Sequence, residues 1–508
     1  MAAALSACAV GPDFKQPDAP KVAGFTKTPV PEKLATVPDV PGGTPQELVR
    51  DSDISAQWWE LYKSPQLNAL IKKALQQNPT LGAADAALRS AQENVNAQIG
   101  GQYFPAVGLG ANGSRQQTPN AAFGLPGNGS NIYNLYNTTV NVSYKLDVFG
   151  GARRTVESAR AQAEYQQFQL EAAYLSLTSN IVASAIRDAA LEAQLKATDE
   201  ILKAQENLAE LTEQQLQIGT VSKVDVTSQQ ALVANTQGDL IGYEKNLSIT
   251  RNQLAIYTGE LPGNADIAAF NLSTLNLPSK LPLSLPSNLV RQRPDIRAAE
   301  AQLKSTNALV GVATANLLPQ VNLTAAMGSE ALTTGALFGP GAVLWSVGGG
   351  LFQPLFQGGQ LQAQRRGAMA NYDQAVYQYQ ATVLNAFKEV ADALRALDTG
   401  ARSLKAASNA ERYAYETLDL VQQQYKLGTQ SYLAVLYYQS QYQQAKIKSI
   451  QAQATRFSDT AALFAALGGG WWNREAPAFQ AHSESNSLSN ADLTNGLSKN
   501  SNDTPREN

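Results

Sequence analysis

Histidine and cysteine occur once each in this 508-residue chain, as His482 and Cys8, and methionine occurs three times. One cysteine excludes intrachain disulfides and Cys-rich zinc sites, and one imidazole excludes any site within the chain that needs two. A Ser-His-Asp triad would have to recruit His482 from a polar tail. No GxSxG elbow and no phosphate-binding loop occurs, and no His or Cys ligands cluster, so neither a cofactor nor a metal is implied. No run of 18 apolar residues is found, which excludes a membrane-spanning helix. Charge is scarce at 16% and nearly balanced, 39 basic against 42 acidic residues, so there is no bulk electrostatic case for nucleic acid. What fills the chain instead is Ala, Gln, Asn, Ser, Leu and Tyr, an unusual mixture for a soluble enzyme. Its length is ample for about three domains.

The ends read differently from the middle. Met1–Ala7 resembles the tail of a secretory signal, and Leu5-Ser6-Ala7-Cys8 resembles a bacterial lipobox, whose cysteine becomes the lipidated N-terminus. One acylated cysteine tethers a chain to a leaflet without making it span. Residues 473–508 are rich in Ser, Asn and charge and read as a disordered tail.

Between the ends the chain is duplicated at an offset of about 210 residues. Asn78-Pro79-Thr80-Leu81-Gly82-Ala83-Ala84 matches Arg293-Pro294-Asp295-Ile296-Arg297-Ala298-Ala299. Val148-Phe149-Gly150-Gly151 parallels Leu355-Phe356-Gln357-Gly358-Gly359, and an Arg pair follows each, Arg153-Arg154 and Arg365-Arg366. Gln214-Gln215-Leu216-Gln217-Ile218-Gly219-Thr220 falls on Gln423-Gln424-Tyr425-Lys426-Leu427-Gly428-Thr429. Three ordered blocks at nearly one offset make each half a copy of one structural unit.

In the first unit a helix over 65–100 breaks at Pro79, and a strand over 104–114 precedes a turn-rich loop. A second strand over 135–148 alternates Val140, Val142, Tyr144, Leu146 and Val148 with Asn141, Ser143, Lys145 and Asp147. The second unit repeats the hairpin near 320–329 and 342–354. From Ala152 to Ile218 there is neither Pro nor Gly, enough for a rod of roughly 100 Å. Such helices imply coiled-coil or helical-barrel packing. The division is a residual signal segment 1–7, an N-terminal lipoprotein and equatorial segment 8–64, and a first repeat 65–260. That repeat holds hairpin 104–148, long helix 152–218 and return helix 222–257. A linker 261–285 and a second repeat 286–472 follow, with hairpin 319–356, long helix 360–427 and return helix 431–467.

Strands of this length with one apolar face suit an outer membrane, where about 9 to 11 residues span. Four strands cannot close, and in lipid an open edge leaves unpaired backbone groups at several kcal/mol each, so closure needs more than one chain. Two chains would give eight strands and a filled interior; three would give twelve and a lumen. A soluble α+β protein with its hairpins packed on helices is the plain alternative, against which the rods weigh.

Cys8-Ala9-Val10-Gly11-Pro12-Asp13-Phe14, Trp58-Trp59-Glu60-Leu61-Tyr62 and above all Leu285-Pro286-Ser287-Asn288-Leu289-Val290-Arg291-Gln292-Arg293-Pro294-Asp295-Ile296 resemble the TolC and OprM class of outer-membrane efflux proteins, in its NodT-like lipoprotein branch. The resemblance implies a mixed α and β membrane protein. It further implies a homotrimer sharing a twelve-stranded outer-membrane barrel that continues as a periplasmic α-helical barrel. It also implies a periplasmic adaptor, an inner-membrane RND-type pump and outer-membrane lipid as partners, with Cys8 as the acylated anchor. Gly219, Thr220, Val221 and Ser222, with Gly428, Thr429, Gln430 and Ser431, resemble the adaptor-docking ends; capping geometry accounts for the same residues. A family tyrosine that hydrogen-bonds an aspartate to shut the periplasmic aperture falls on Tyr425 and Asp225. This chain departs from its relatives where they carry an arginine and lumen-facing aspartates, having Gln430, Ala434 and Tyr437 instead. The expectation is therefore a closed end sealed by Tyr432, Tyr437 and Tyr438 more than by charge. Two other classes stand beside this reading, a surface hydrolase using carboxylates and a non-conducting periplasmic coiled-coil scaffold.

Overall fold

The computed structural model describes residues 9–474 apart from 21, 23, 51, 125, 127 and 128. Cys8, His482 and the tail from 475 lie outside the described residues. In chain order the elements are β1 (Glu47–Arg50), α1 (Pro65–Gln77), α2 (Pro79–Tyr103), β2 (Ala106–Pro119), β3 (Ser130–Leu146), α3 (Gly151–Gln217) and α4 (Lys223–Tyr257). There follow β4 (Lys280–Leu283), α5 (Pro286–Gln292), α6 (Pro294–Ala315), β5 (Gln320–Ala331), β6 (Val343–Phe352), α7 (Gln360–Lys426) and α8 (Tyr432–Ala466). The long helices α3 and α7 each have 67 residues, and the return helices α4 and α8 each have 35.

The main core lies midway along the rods. Trp58, Trp59 and Tyr62 bury against the central turns of α3 and the end of α8. The Trp58 ring stacks on Phe464 at 5.4 Å, and the Tyr62 hydroxyl donates to the Phe457 carbonyl at 2.9 Å. A parallel pair, β1 with β4, girdles this level. Asp188, fully buried on α3, accepts the Phe270 N–H and the Arg251 Nε–H, each at 3.0 Å, and so pins the inter-repeat linker. Asn473 and Arg474, placed in the tail by composition, belong to the folded body. Asn473 donates to Asp53 at 2.7 Å, and Arg474 pairs with Glu171.

The four-stranded sheet runs β2-β3-β5-β6, antiparallel throughout. Its first hairpin is longer than 104–114 and 135–148. Gln116, Gln117 and Thr118 continue the ladder opposite Tyr133, Ile132 and Asn131, since the backbone pairs whether or not the side chains are apolar.

Candidate functional site

The sheet presents an apolar face that nothing among the described residues covers. Register places Leu109, Val140, Met327 and Trp345 in one cross-strand row, and Val107, Val142, Ala325 and Val347 in the next. Trp345, Val347 and Leu109 are 75%, 76% and 75% exposed. Offset by one residue, the other face carries rows such as Gly108, Asn141, Ala326 and Ser346. A period of two therefore holds across all four strands and separates apolar from polar or small. The two outer strands, β2 and β6, have edges that no strand among the described residues pairs. Water strongly disfavours so large an apolar face, lipid welcomes it, and the open edges demand further strands.

Below the sheet, the N-terminal segment is nailed to the start of α3. The Val10 N–H donates to the Phe149 carbonyl at 3.0 Å, and Arg154 pairs with Asp13 at 2.6 Å and with Glu157 at 2.7 Å. Asn307 on α6 donates to the Pro12 carbonyl at 2.9 Å. A Cβ on Gly150 would come within 2.5 Å of Ala9 Cα, so the chain next to Cys8 crosses directly beneath β3. Burial disfavours the Arg154 cation, and Asp13 and Glu157 more than offset that, raising its pKa above the usual value.

At the far end both hairpins turn in the same way. Gly219 and Gly428 have φ of 76° and 73°, and each N–H bonds back into the last helical turn, to Leu216 and Tyr425. Thr220 and Thr429 each donate both backbone N–H and hydroxyl to one carbonyl, Gln215 and Gln424, all at 3.0 Å. A Schellman closure needs a left-handed residue there, which explains both glycines. Ser222 and Asp225 form a capping box on α4, and Ser431 caps α8 at Ala434 N–H. Val221 and Gln430 complete the two turns.

Tyr425 and Asp225, expected to bond each other, take other partners among the described residues. Tyr425 donates to Gln215 Oε1 at 3.3 Å, while Asp225 Oδ2 accepts from Ser222 N–H at 2.9 Å and Ser222 Oγ at 2.7 Å. The carboxylate is committed to its own helix start, because a cap three residues away costs less entropy to close than a bond between hairpins. Tyr432, expected at a lumen seal, is instead 5% exposed and lies inside the protomer. Its hydroxyl receives Thr212 Oγ1–H at 2.9 Å and donates to Gln229 Oε1 at 3.0 Å. Gln229 Nε2 in turn donates to the Gln205 carbonyl at 2.7 Å, so α8 is tied to both α3 and α4. Burial pushes the Tyr432 pKa up to about 12. Tyr437 is 60% exposed, with its ring edge-on to the half-buried Tyr438 at 5.1 Å.

The Arg-Pro-Asp block has a structural role that its pattern did not reveal. Buried Arg293 donates Nε and Nη2 to Asp295 at 3.0 and 2.7 Å, and Nη1 to the Ala466 carbonyl at 2.9 Å and to Glu389 at 2.7 Å. It thereby joins the start of α6 to α7 and to the last residue of α8. In the first repeat Asn78 does the same with a smaller side chain. It caps α2 through Thr80 and Leu81 N–H, at 2.9 and 3.1 Å, and donates to the Tyr257 carbonyl at the end of α4, at 2.9 Å. The duplication thus preserves a junction and not a side chain. Among the described residues no group of His, Cys, Asp and Glu is placed to hold a metal.

The model of one family, described as outer membrane efflux protein, matches residues 70–260 and 285–469. The toluene efflux pump outer membrane protein TtgF of Pseudomonas putida is 30% identical over 485 residues, 93% of this chain and 96% of that protein. The pyoverdine export outer membrane protein OpmQ of P. putida is 29% identical over 462 residues, 87% of this chain and 94% of that protein. The solved outer-membrane channel OprN superposes with a TM-score of 0.81 at 27% identity, covering 91% of this chain and 100% of that one.

Proposed function

This chain belongs to the outer membrane efflux protein family, and from that premise we propose that it is the outer-membrane exit duct of an efflux pump. Three copies would place their four-stranded sheets edge to edge, β2 of one beside β6 of the next, as a twelve-stranded barrel with a lumen. The rods would continue the duct across the periplasm to the turns at Gly219–Ser222 and Gly428–Ser431, where a periplasmic adaptor docks and an inner-membrane RND-type pump delivers cargo. The observation that carries this reading is the sheet itself, apolar on one face across four strands and open at both edges. A coiled-coil scaffold without conductance would leave that face in water.

Passage through such a duct breaks and forms no covalent bond. Relatives of similar identity are named for cargoes as unlike as toluene and pyoverdine, which supports selectivity residing in the pump. Gate closure is assigned to the Tyr432 ties within each protomer and to Tyr437 and Tyr438 between them, with Tyr425 and Asp225 in supporting roles. Cys8 is assigned as the lipidated anchor, since its neighbour Ala9 packs against Gly150 just after β3, where the duct reading would set the leaflet nearest the helices. Purified protein in a planar bilayer tests the duct: discrete conductance steps are expected, and a silent bilayer would refute it. Metabolic labelling with a radioactive fatty acid tests the anchor, and a label that survives Cys8→Ser would refute that.

A further inference from the structure

The two repeats carry an Arg pair at the same place below the sheet and use it in opposite ways. In the first, Asp147 pairs with Arg153 at 3.1 Å, and Asp13 and Glu157 enclose Arg154. In the second, no acid occurs anywhere from Ala331 to Tyr372, and Pro354 stands where the first repeat has Asp147. Arg366 is exposed, and the Nε of the half-buried Arg365 has no hydrogen-bond partner among the described residues. The chain leading from β6 toward this pair carries exposed apolar residues. Leu351 closes the last row of the uncovered face, and Leu355 and Phe356, 93% and 89% exposed, precede the first turn of α7.

We infer that Leu355 and Phe356 with Arg365 and Arg366 form a binding surface for the headgroup of an anionic phospholipid in the leaflet nearest the helices. This inference rests on the duct reading, which sets the sheet in the membrane. The dimensions agree. Arg365 and Arg366 are the sixth and seventh residues of α7, roughly 8 Å from its start, and the headgroup zone is about 5 to 8 Å deep on each side. Long guanidinium side chains reach back toward phosphate while the leucine and phenylalanine stay at the hydrocarbon boundary, the division of labour seen in interfacial anchoring. Two fork-shaped donors with no carboxylate beside them suit phosphate oxygens. The first repeat cannot offer this, because its guanidiniums are already occupied.

The experiment uses the whole channel in nanodiscs of phosphatidylcholine with a minor fraction of phosphatidylglycerol, reading bound phosphatidylglycerol by native mass spectrometry alongside conductance. R365Q/R366Q is expected to conduct as the parent does while retaining phosphatidylglycerol roughly thirtyfold less well, on the usual increment for two basic groups at an anionic surface. Exposed R366Q alone, which disturbs no packing, is expected to lose roughly fivefold. Arg115→Gln, at the opposite end of β2, is expected to change nothing. Retention unchanged in R365Q/R366Q overturns the inference while leaving the duct intact. Displacement of the lipid by millimolar inorganic phosphate overturns it as well, by showing a site for a free anion. A parent chain that fails to conduct refutes the duct reading separately.

Discussion

Removing one oxygen atom from Tyr432 should loosen the periplasmic end. Its hydroxyl is the point where α8 meets both α3 and α4, through Thr212 and Gln229. Tyr432→Phe keeps the ring and its 5.5 Å contact with Tyr425, and leaves Gln229 Oε1 buried without that donor. An orphaned buried acceptor costs about 1–3 kcal/mol, whereas a pair replaced on both sides by apolar groups is nearly neutral. If opening rehydrates this junction, the cost falls on the closed state alone, and the open-to-closed ratio rises about 5- to 150-fold. Open probability in planar bilayers reads this directly. The double variant Y432F/Q229L should return part of the closure, because Gln229→Leu removes the orphan but also the bond to the Gln205 carbonyl. Open probability unchanged in Y432F, or raised further in the double variant, would refute the reasoning.

Three further outcomes are expected. Tyr437→Ala should raise single-channel conductance without altering thermal stability, because the side chain is exposed, and unchanged conductance would remove the aromatic seal. Arg293→Ala should lower stability by about 1–3 kcal/mol, by freeing the α8 terminus while Asp295 and Glu389 regain water; a melting temperature within error of the parent would contradict this. Asp459→Asn should change how stability depends on pH. Burial lifts the Asp459 carboxyl from 3.8 to about 6, only partly countered by Arg456. The folded state then holds the proton more tightly, so the stabilisation is present at low pH and is lost as pH rises from about 4 through 6. One-site linkage gives about 3 kcal/mol at most, and about 1–2 after solvent screening. The substitution should raise the melting temperature at pH 7.5 and hardly at pH 4.5, and equal shifts at both would refute the assignment.

Patterns of period two and of missing Pro and Gly were legible in the sequence because strands and rods depend on them directly. The alternation in β3 and the uninterrupted stretch before Gly219 each mark an element on their own. The tips were legible for a similar reason, since a left-handed closure admits few residues besides glycine. The gate was not. Helices rich in Ala, Gln and Thr show little contrast between faces, so nothing in the pattern tells that Tyr432 is buried and Tyr437 exposed. Nor does residue type tell which partner Asp225 will take when a cap and a neighbouring hairpin compete for it. Arg293 illustrates a third limit. Its block was recognisable as a block, but its work, holding the last carbonyl of α8, depends on a residue 173 positions away.

The central claim is that these sheets complete one another between chains. Single cysteines introduced in a Cys8→Ser background on facing edges, one at Gly110 in β2 and one at Gly348 in β6, report this directly under mild oxidation in membranes. The account predicts a closed ladder that ends at three linked chains. Crosslinks that stop at two chains, continue beyond three, or never form between β2 and β6 would contradict it.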